Sequence, residues 1–72
     1  MTFIETVDYQ FINTIYITRI YCQQDPVSLK WFIGCRVAHG MGERILNVGL
    51  VSEAMAYQQL RDIIKSMETV VI

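Results

Sequence analysis

The chain is poor in the residues that usually announce a specialised function: of 72 positions, two are cysteine, one is histidine, one is proline and four are glycine. Two cysteines, Cys22 and Cys35, cannot frame a disulfide scaffold, and neither has the clustered neighbours of a zinc site, so both read as reduced core thiols of a cytoplasmic protein. Neither sign of charge prevails. Six basic against seven acidic residues leave a net charge of −1, which supplies no field to draw the chain to nucleic acid or an anionic membrane. Long hydrophobic runs are missing too. The least charged stretch, Tyr9 to Thr18, is interrupted by Asn13 and Thr14 and falls well short of the roughly 20 apolar residues a membrane helix needs. The start lacks a basic segment followed by an apolar one, so no secretory signal is expected.

What the chain does have is apolar side chains, 53% of the total, with a mean hydropathy of +0.32. A chain this short folds as a single domain, here residues 1–72, and removes only about 60% of its unfolded surface from water. Part of the apolar excess is therefore expected at an interface, and a homo-oligomer is the simplest form of one.

The order of residue types predicts an α+β fold, with three antiparallel strands in a meander followed by one C-terminal helix. Tyr9 to Cys22 is dense in β-branched and aromatic residues and reads as the first strand. Asp25-Pro26-Val27-Ser28 reads as a type I turn, since Pro is already set at the φ its second position requires. Lys30 to Ala38 is then the second strand, Gly40-Met41-Gly42 the next turn, and Arg44 to Val51 the third strand. Ser52 before Glu53 and Ala54 reads as a helix N-cap with an acid in the first turn. Ala56, Tyr57, Leu60, Ile63, Ile64 and Met67 then recur on one helical stripe, with Gln58, Gln59, Arg61, Asp62 and Lys65 opposite. The first eight residues form either a short extra strand or an extended arm, and the apolar tail Val70-Val71-Ile72 docks on the core edge or an interface.

Two-residue turns at Pro26-Val27 and at Met41-Gly42 would place Tyr16, Ile20, Cys22, Trp31, Ile33, Cys35, Val37, Leu46, Val48 and Leu50 on one face, where the helix stripe covers them. Ile15, Ile17, Arg19, Tyr21, Phe32, Gly34, Arg36, Ala38, Ile45, Asn47, Gly49 and Val51 then share the other. No second helix exists for that face, unless the first eight residues and the tail fold back over it. Aromatic residues and arginine dominate interface hot spots because they combine large area with a polar group. Ile17, Arg19, Tyr21, Phe32, Arg36 and Asn47 are therefore the candidate partner-binding residues.

Catalysis has little to rest on. Cys35 and His39 share a strand face four residues apart, about 13 Å at the usual rise per residue, which is too far for a thiol and its base. Gly40-Met41-Gly42 lacks the Gly-Lys-Ser/Thr of a phosphate loop and joins two strands. The acids Glu5, Asp8, Asp25, Glu43, Glu53, Asp62 and Glu68 are dispersed, and one histidine gives no metal set. The residues identify no catalytic group, no metal ligand and no cofactor, and the expectation is a non-enzyme.

From Lys30 onward, Trp31 opening a strand, the Gly40-Gly42 hairpin, a third strand and Ser52-Glu53-Ala54 starting a helix resemble in layout the arm-binding domains of tyrosine integrases and AP2-type domains. The resemblance implies DNA contact through the three-stranded sheet. Such domains carry a surplus of Lys and Arg that neutralises phosphate, and this chain has none. A non-catalytic module that binds a protein partner and self-associates through the uncovered face is the leading expectation, and a nucleic-acid-binding domain using the three-stranded sheet face the alternative. A small acidic chain without an active site also fits the accessory and inhibitor proteins of phages and mobile elements, which occupy a host macromolecule.

Overall fold

The structure, a computed structural model, describes residues 3–68, without the side chain of Glu68. The tail expected to dock, Val70 to Ile72, lies outside them. Strands β1 (Phe3–Glu5) and β2 (Phe11–Asn13) form a small antiparallel ribbon, and a 3-10 turn (Thr14–Tyr16) follows. Strands β3 (Ile17–Gln24), β4 (Trp31–Val37) and β5 (Gly42–Leu50) form a three-stranded antiparallel sheet in chain order, and helix α1 (Glu53–Glu68) packs on it. The α+β meander with one C-terminal helix is as expected, and the initial segment supplies the extra strand.

The long first strand expected over Tyr9 to Cys22 is instead two strands separated by a turn. Asn13 explains the break, because its Oδ1 accepts the Ile15 amide at 3.1 Å and caps the 3-10 turn in place of a ladder bond. The ribbon closes through Val7, Asp8 and Tyr9. The Tyr9 amide donates to the Thr6 carbonyl at 3.1 Å, and Tyr9 itself sits at φ 65°, the left-handed position that ends a three-residue hairpin loop. Thr6 is buried yet satisfied, since its hydroxyl donates to Asp8 Oδ1 and accepts the Gln10 amide at 3.0 Å.

The first hairpin turns one residue later and the second two residues earlier than expected, which shifts the pairing register by two and by four residues. Gln24 pairs with Trp31 and Ile20 with Cys35, two residues from the expected register, because Asp25 to Lys30 forms a longer loop. Val37 pairs with Gly42, and the turn centres on His39 and Gly40 at φ 63° and 74°, the signs a type I′ hairpin requires. Even shifts keep each residue on its face of the pleat. Ile33, Cys35 and Val37 of β4 therefore do form the covered layer, all of them buried.

That layer has two covers. Helix α1 seals one half, where Ala56 packs with Ile33 and Leu50, flanked by Trp31, Cys22, Leu60 and Ile63. The ribbon seals the other, with Ile12 on Cys35 and Val37, flanked by Ile4 and Ile17. Ile20 and Leu46 border both halves and join them. The N-terminal segment thus folds onto the helix side and leaves the opposite face open. Ser52 caps the helix as expected, accepting the Met55 amide on Oγ at 3.2 Å. Three expected core residues lie elsewhere: Val48 is exposed, Tyr57 is partly exposed beside Cys22, and Tyr16 leaves the sheet to meet His39 edge-on at 5.5 Å.

Cys22 and Cys35 are both free thiols, opposite Ile33 and Ile20 in the ladder, and burial pushes the Cys35 thiol up. Alkylation of the denatured protein should add two groups, whereas alkylation of the native protein should modify the half-buried Cys22 well before Cys35. Equal rates would mean that Cys35 is not enclosed. Ile33 is fully buried, so Ile33→Ala should lower unfolding free energy by about 2–5 kcal/mol in chemical denaturation. A loss below about 0.5 kcal/mol would place the core elsewhere.

Candidate functional site

The open face is built on three rows across the sheet: Arg19 opposite Arg36 opposite Glu43, Tyr21 opposite Gly34 opposite Ile45, and Gln23 opposite Phe32. Tyr21 dominates it. Its hydroxyl crosses the central strand and donates to Glu43 Oε1 on β5 at 2.6 Å. The crossing is possible because residue 34 is glycine: a Cβ there would stand 2.8 Å from both Cζ and the hydroxyl oxygen of Tyr21. On β3 the Arg19 guanidinium lies over the tyrosine ring, 5.2 Å from its centroid, a cation–π distance. From β4, Arg36 Nη1 stands 3.6 Å from Glu43 Oε2. Glu43 thereby offsets the repulsion between two arginines placed directly opposite each other.

These interactions are solvent-accessible, so the ion pair adds little stability. Their effect is positional. Four side chains from three strands are held in one arrangement, with both guanidiniums at the surface. The hydrogen bond to Glu43, helped by burial and the carboxylate charge, pushes the Tyr21 hydroxyl from 10.0 up to about 12.

Of the six residues expected here, Arg19, Tyr21 and Arg36 come together as one cluster. Phe32 is half-buried at the sheet end, beside a cleft it shares with Trp31 and Val48. The other two are corrections. Ile17 packs into the ribbon half of the core, because Thr18 is an extra residue between the Ile17–Val37 and Arg19–Arg36 pairs. Asn47 faces the helix and donates from Nδ2 to Gln59 Oε1, because a bulge between the Gly34–Ile45 and Ile33–Asn47 pairs flips its side. The face is consequently less apolar than expected. Large exposed apolar groups concentrate instead on the N-terminal segment (Phe3, Tyr9, Phe11, Ile15) and on the loop after β3 (Val27, Leu29).

Glu43 and Gly34 are the participants that sequence reasoning missed. A signal existed: a turn at His39-Gly40 sets Arg36 opposite Glu43, and opposite charges favour that register over one that leaves both unpaired. Among the described residues no three His, Cys, Asp or Glu side chains are grouped to hold a metal, and no helix is long and apolar enough to cross a membrane. In comparisons with protein-family models, curated protein sequences and solved structures, the chain has no match.

Two measurements check this geometry. A tyrosine pKa raised by folding favours the native state up to the ordinary value, and the advantage is lost as pH rises through the native value. Stability should therefore hold up to about pH 10 and fall by about pH 12, and Tyr21→Phe should lack the part of the fall that Tyr21 causes. Gly34→Ala should swing the ring off the sheet while leaving the fold intact. Ultraviolet titration should then return Tyr21 toward about 10, and a titration unchanged from wild type would show that the ring does not depend on Gly34.

Proposed function

We propose that this chain is a non-catalytic binding module that occupies a protein partner through the open sheet face, with Arg19, Tyr21, Arg36 and Phe32 as its main contacts. The supporting observation is the preorganised cluster across three strands: two surface guanidiniums already positioned by Tyr21 and Glu43. Side chains held before association lose less conformational entropy on binding, and Arg and Tyr are the residue types that carry most interface energy. Glu43 also distinguishes the partner class. A carboxylate beside the arginines repels phosphate and can accept donors from a protein, and the net charge of −1 adds no attraction for nucleic acid. A module of this size acting by occupancy matches the accessory or inhibitor proteins of phages and mobile elements, acting inside the cell.

The test is affinity purification of the tagged chain from its native cell, with and without nuclease and at low and moderate salt, followed by mass spectrometry. A protein partner retained after nuclease and at moderate salt is expected. The double variant Arg19→Ala/Arg36→Ala should reduce its recovery at least tenfold, with circular dichroism and denaturation close to wild type. Loss of every partner on nuclease treatment would favour a nucleic-acid binder. Undiminished recovery by the double variant would remove the open face from the function.

A further inference from the structure

The loop between β3 and β4 is unusually well fixed for one whose apolar side chains point into water. Asp25 Oδ1 accepts the Val27 amide at 2.8 Å and the Ser28 amide at 3.4 Å. The Asp25 carbonyl accepts the Leu29 amide at 2.8 Å, and the Lys30 carbonyl accepts the Asp25 amide at 2.8 Å. Ser28 Oγ accepts the Lys30 amide at 3.2 Å, and Gln24 Nε2 donates to the Leu29 carbonyl at 3.0 Å. Within this frame Leu29 sits at φ 62°, a left-handed conformation that is costly for a bulky residue and that Asn or Gly adopts with less strain. The core recovers none of that cost, because Leu29 is 63% exposed and its neighbour Val27 is 91% exposed.

Immediately beside this knob is a cleft of about 120 Å³ lined by Trp31, Phe32, Val48 and Gly49, with Asp25, Ser28 and Lys30 completing its wall. Its volume suits one branched aliphatic side chain, by comparison with engineered cavities of about 150 Å³ that admit benzene. One acid and one base on the wall make it self-complementary. About a two-fold axis, Asp25 of one copy meets Lys30 of the other, and Lys30 has no ion-pair partner among the described residues.

We propose that this end of the molecule is a site for a second copy of the chain. Leu29 of each copy enters the Trp31–Phe32–Val48 cleft of the other, Val27 packs alongside, and Asp25 pairs with Lys30 across the axis. Two knobs and two small clefts make a modest interface, so the dimer is weak and concentration-dependent. The assignment shares Phe32 with the face proposed for partner binding but uses neither Arg19 nor Arg36, so the arginine double variant and Leu29→Asn test the two readings separately.

Sedimentation velocity from micromolar to millimolar protein tests it, with denaturation of dilute, monomeric samples alongside. The wild type should pass from monomer to dimer across that range. Leu29→Asn should stay monomeric throughout and unfold at the same or a higher denaturant concentration than wild type, because it removes the knob and relieves the backbone. Lys30→Glu should weaken the dimer at least tenfold, and added salt should restore part of that loss. A wild type that remains monomeric at millimolar concentration overturns the proposal, as does dimerisation of Leu29→Asn at wild-type strength. Destabilisation of the monomer by Leu29→Asn as large as that of a core truncation would also overturn it, since Leu29 would then serve the fold.

Discussion

Everything in this small molecule depends on the covered face of β4. Ile33, Cys35 and Val37 alternate on the central strand, and all three are nearly or fully removed from water. No single element covers them. The helix seals the Ile33 half and the N-terminal ribbon the Val37 half, with Ile20 and Leu46 shared between the two. A two-stranded ribbon of this size has little stability alone in water, and a sheet with one exposed layer needs a cover over its whole width. Each part therefore stabilises the other, and loss of packing on β4 would be felt in both.

Assigning both covers to one side decides what the other side becomes. With the ribbon and the helix on the same face, the opposite face stays open, and its composition in space is more polar than alternation along the strands suggests. The bulge at Thr18 withdraws Ile17 from it, and the bulge before Asn47 exchanges that side chain into a bond with Gln59. What remains is centred on a tyrosine laid across a glycine and anchored on a carboxylate one strand further on. The glycine lets a side chain run across the strands, Arg19 lies over that side chain, and Arg36 pairs with the carboxylate that anchors it.

Backbone strain lies in three turns, and the fold accounts for the residue found at only two of them. Tyr9, Leu29 and His39 all adopt left-handed backbone conformations in turns. For His39 the type I′ hairpin supplies the reason, and for Tyr9 the three-residue ribbon loop does. Leu29 also closes a hydrogen-bonded loop, but that geometry calls for no leucine. A bulky apolar residue held outward there is the feature on which the proposed contact with a second copy rests. Folded chains are generally stable by only about 0.05–0.15 kcal/mol per residue, so a conformational cost of about 1 kcal/mol at an exposed position of a small domain is a sizeable fraction of the total.

The strand and helix assignments from Asp25 onward were legible in the sequence because they rest on local chemistry: β-branched runs, Ser52 as a cap and the helical recurrence of Ala56, Leu60 and Ile63. The identity of the covered layer on β4 was legible as well, even with both turns misplaced, because shifts of two or four residues leave a period-two pattern on the same face. Arg19, Tyr21 and Arg36 were found for that reason. Ile17 and Asn47 were not, since a bulge is a one-residue slip whose signal lies in the fit of partner strands, and each slip sends a side chain to the opposite face. Nor did the sequence show that the first strand breaks at Asn13, that the ribbon shares the helix side, or that Glu43 lies within reach of Tyr21. Local residue preferences determined the elements and the faces of the central strand. Contacts between residues distant in the chain, which depend on how two covers divide one sheet and how strands accommodate extra residues, were decided only by the tertiary structure.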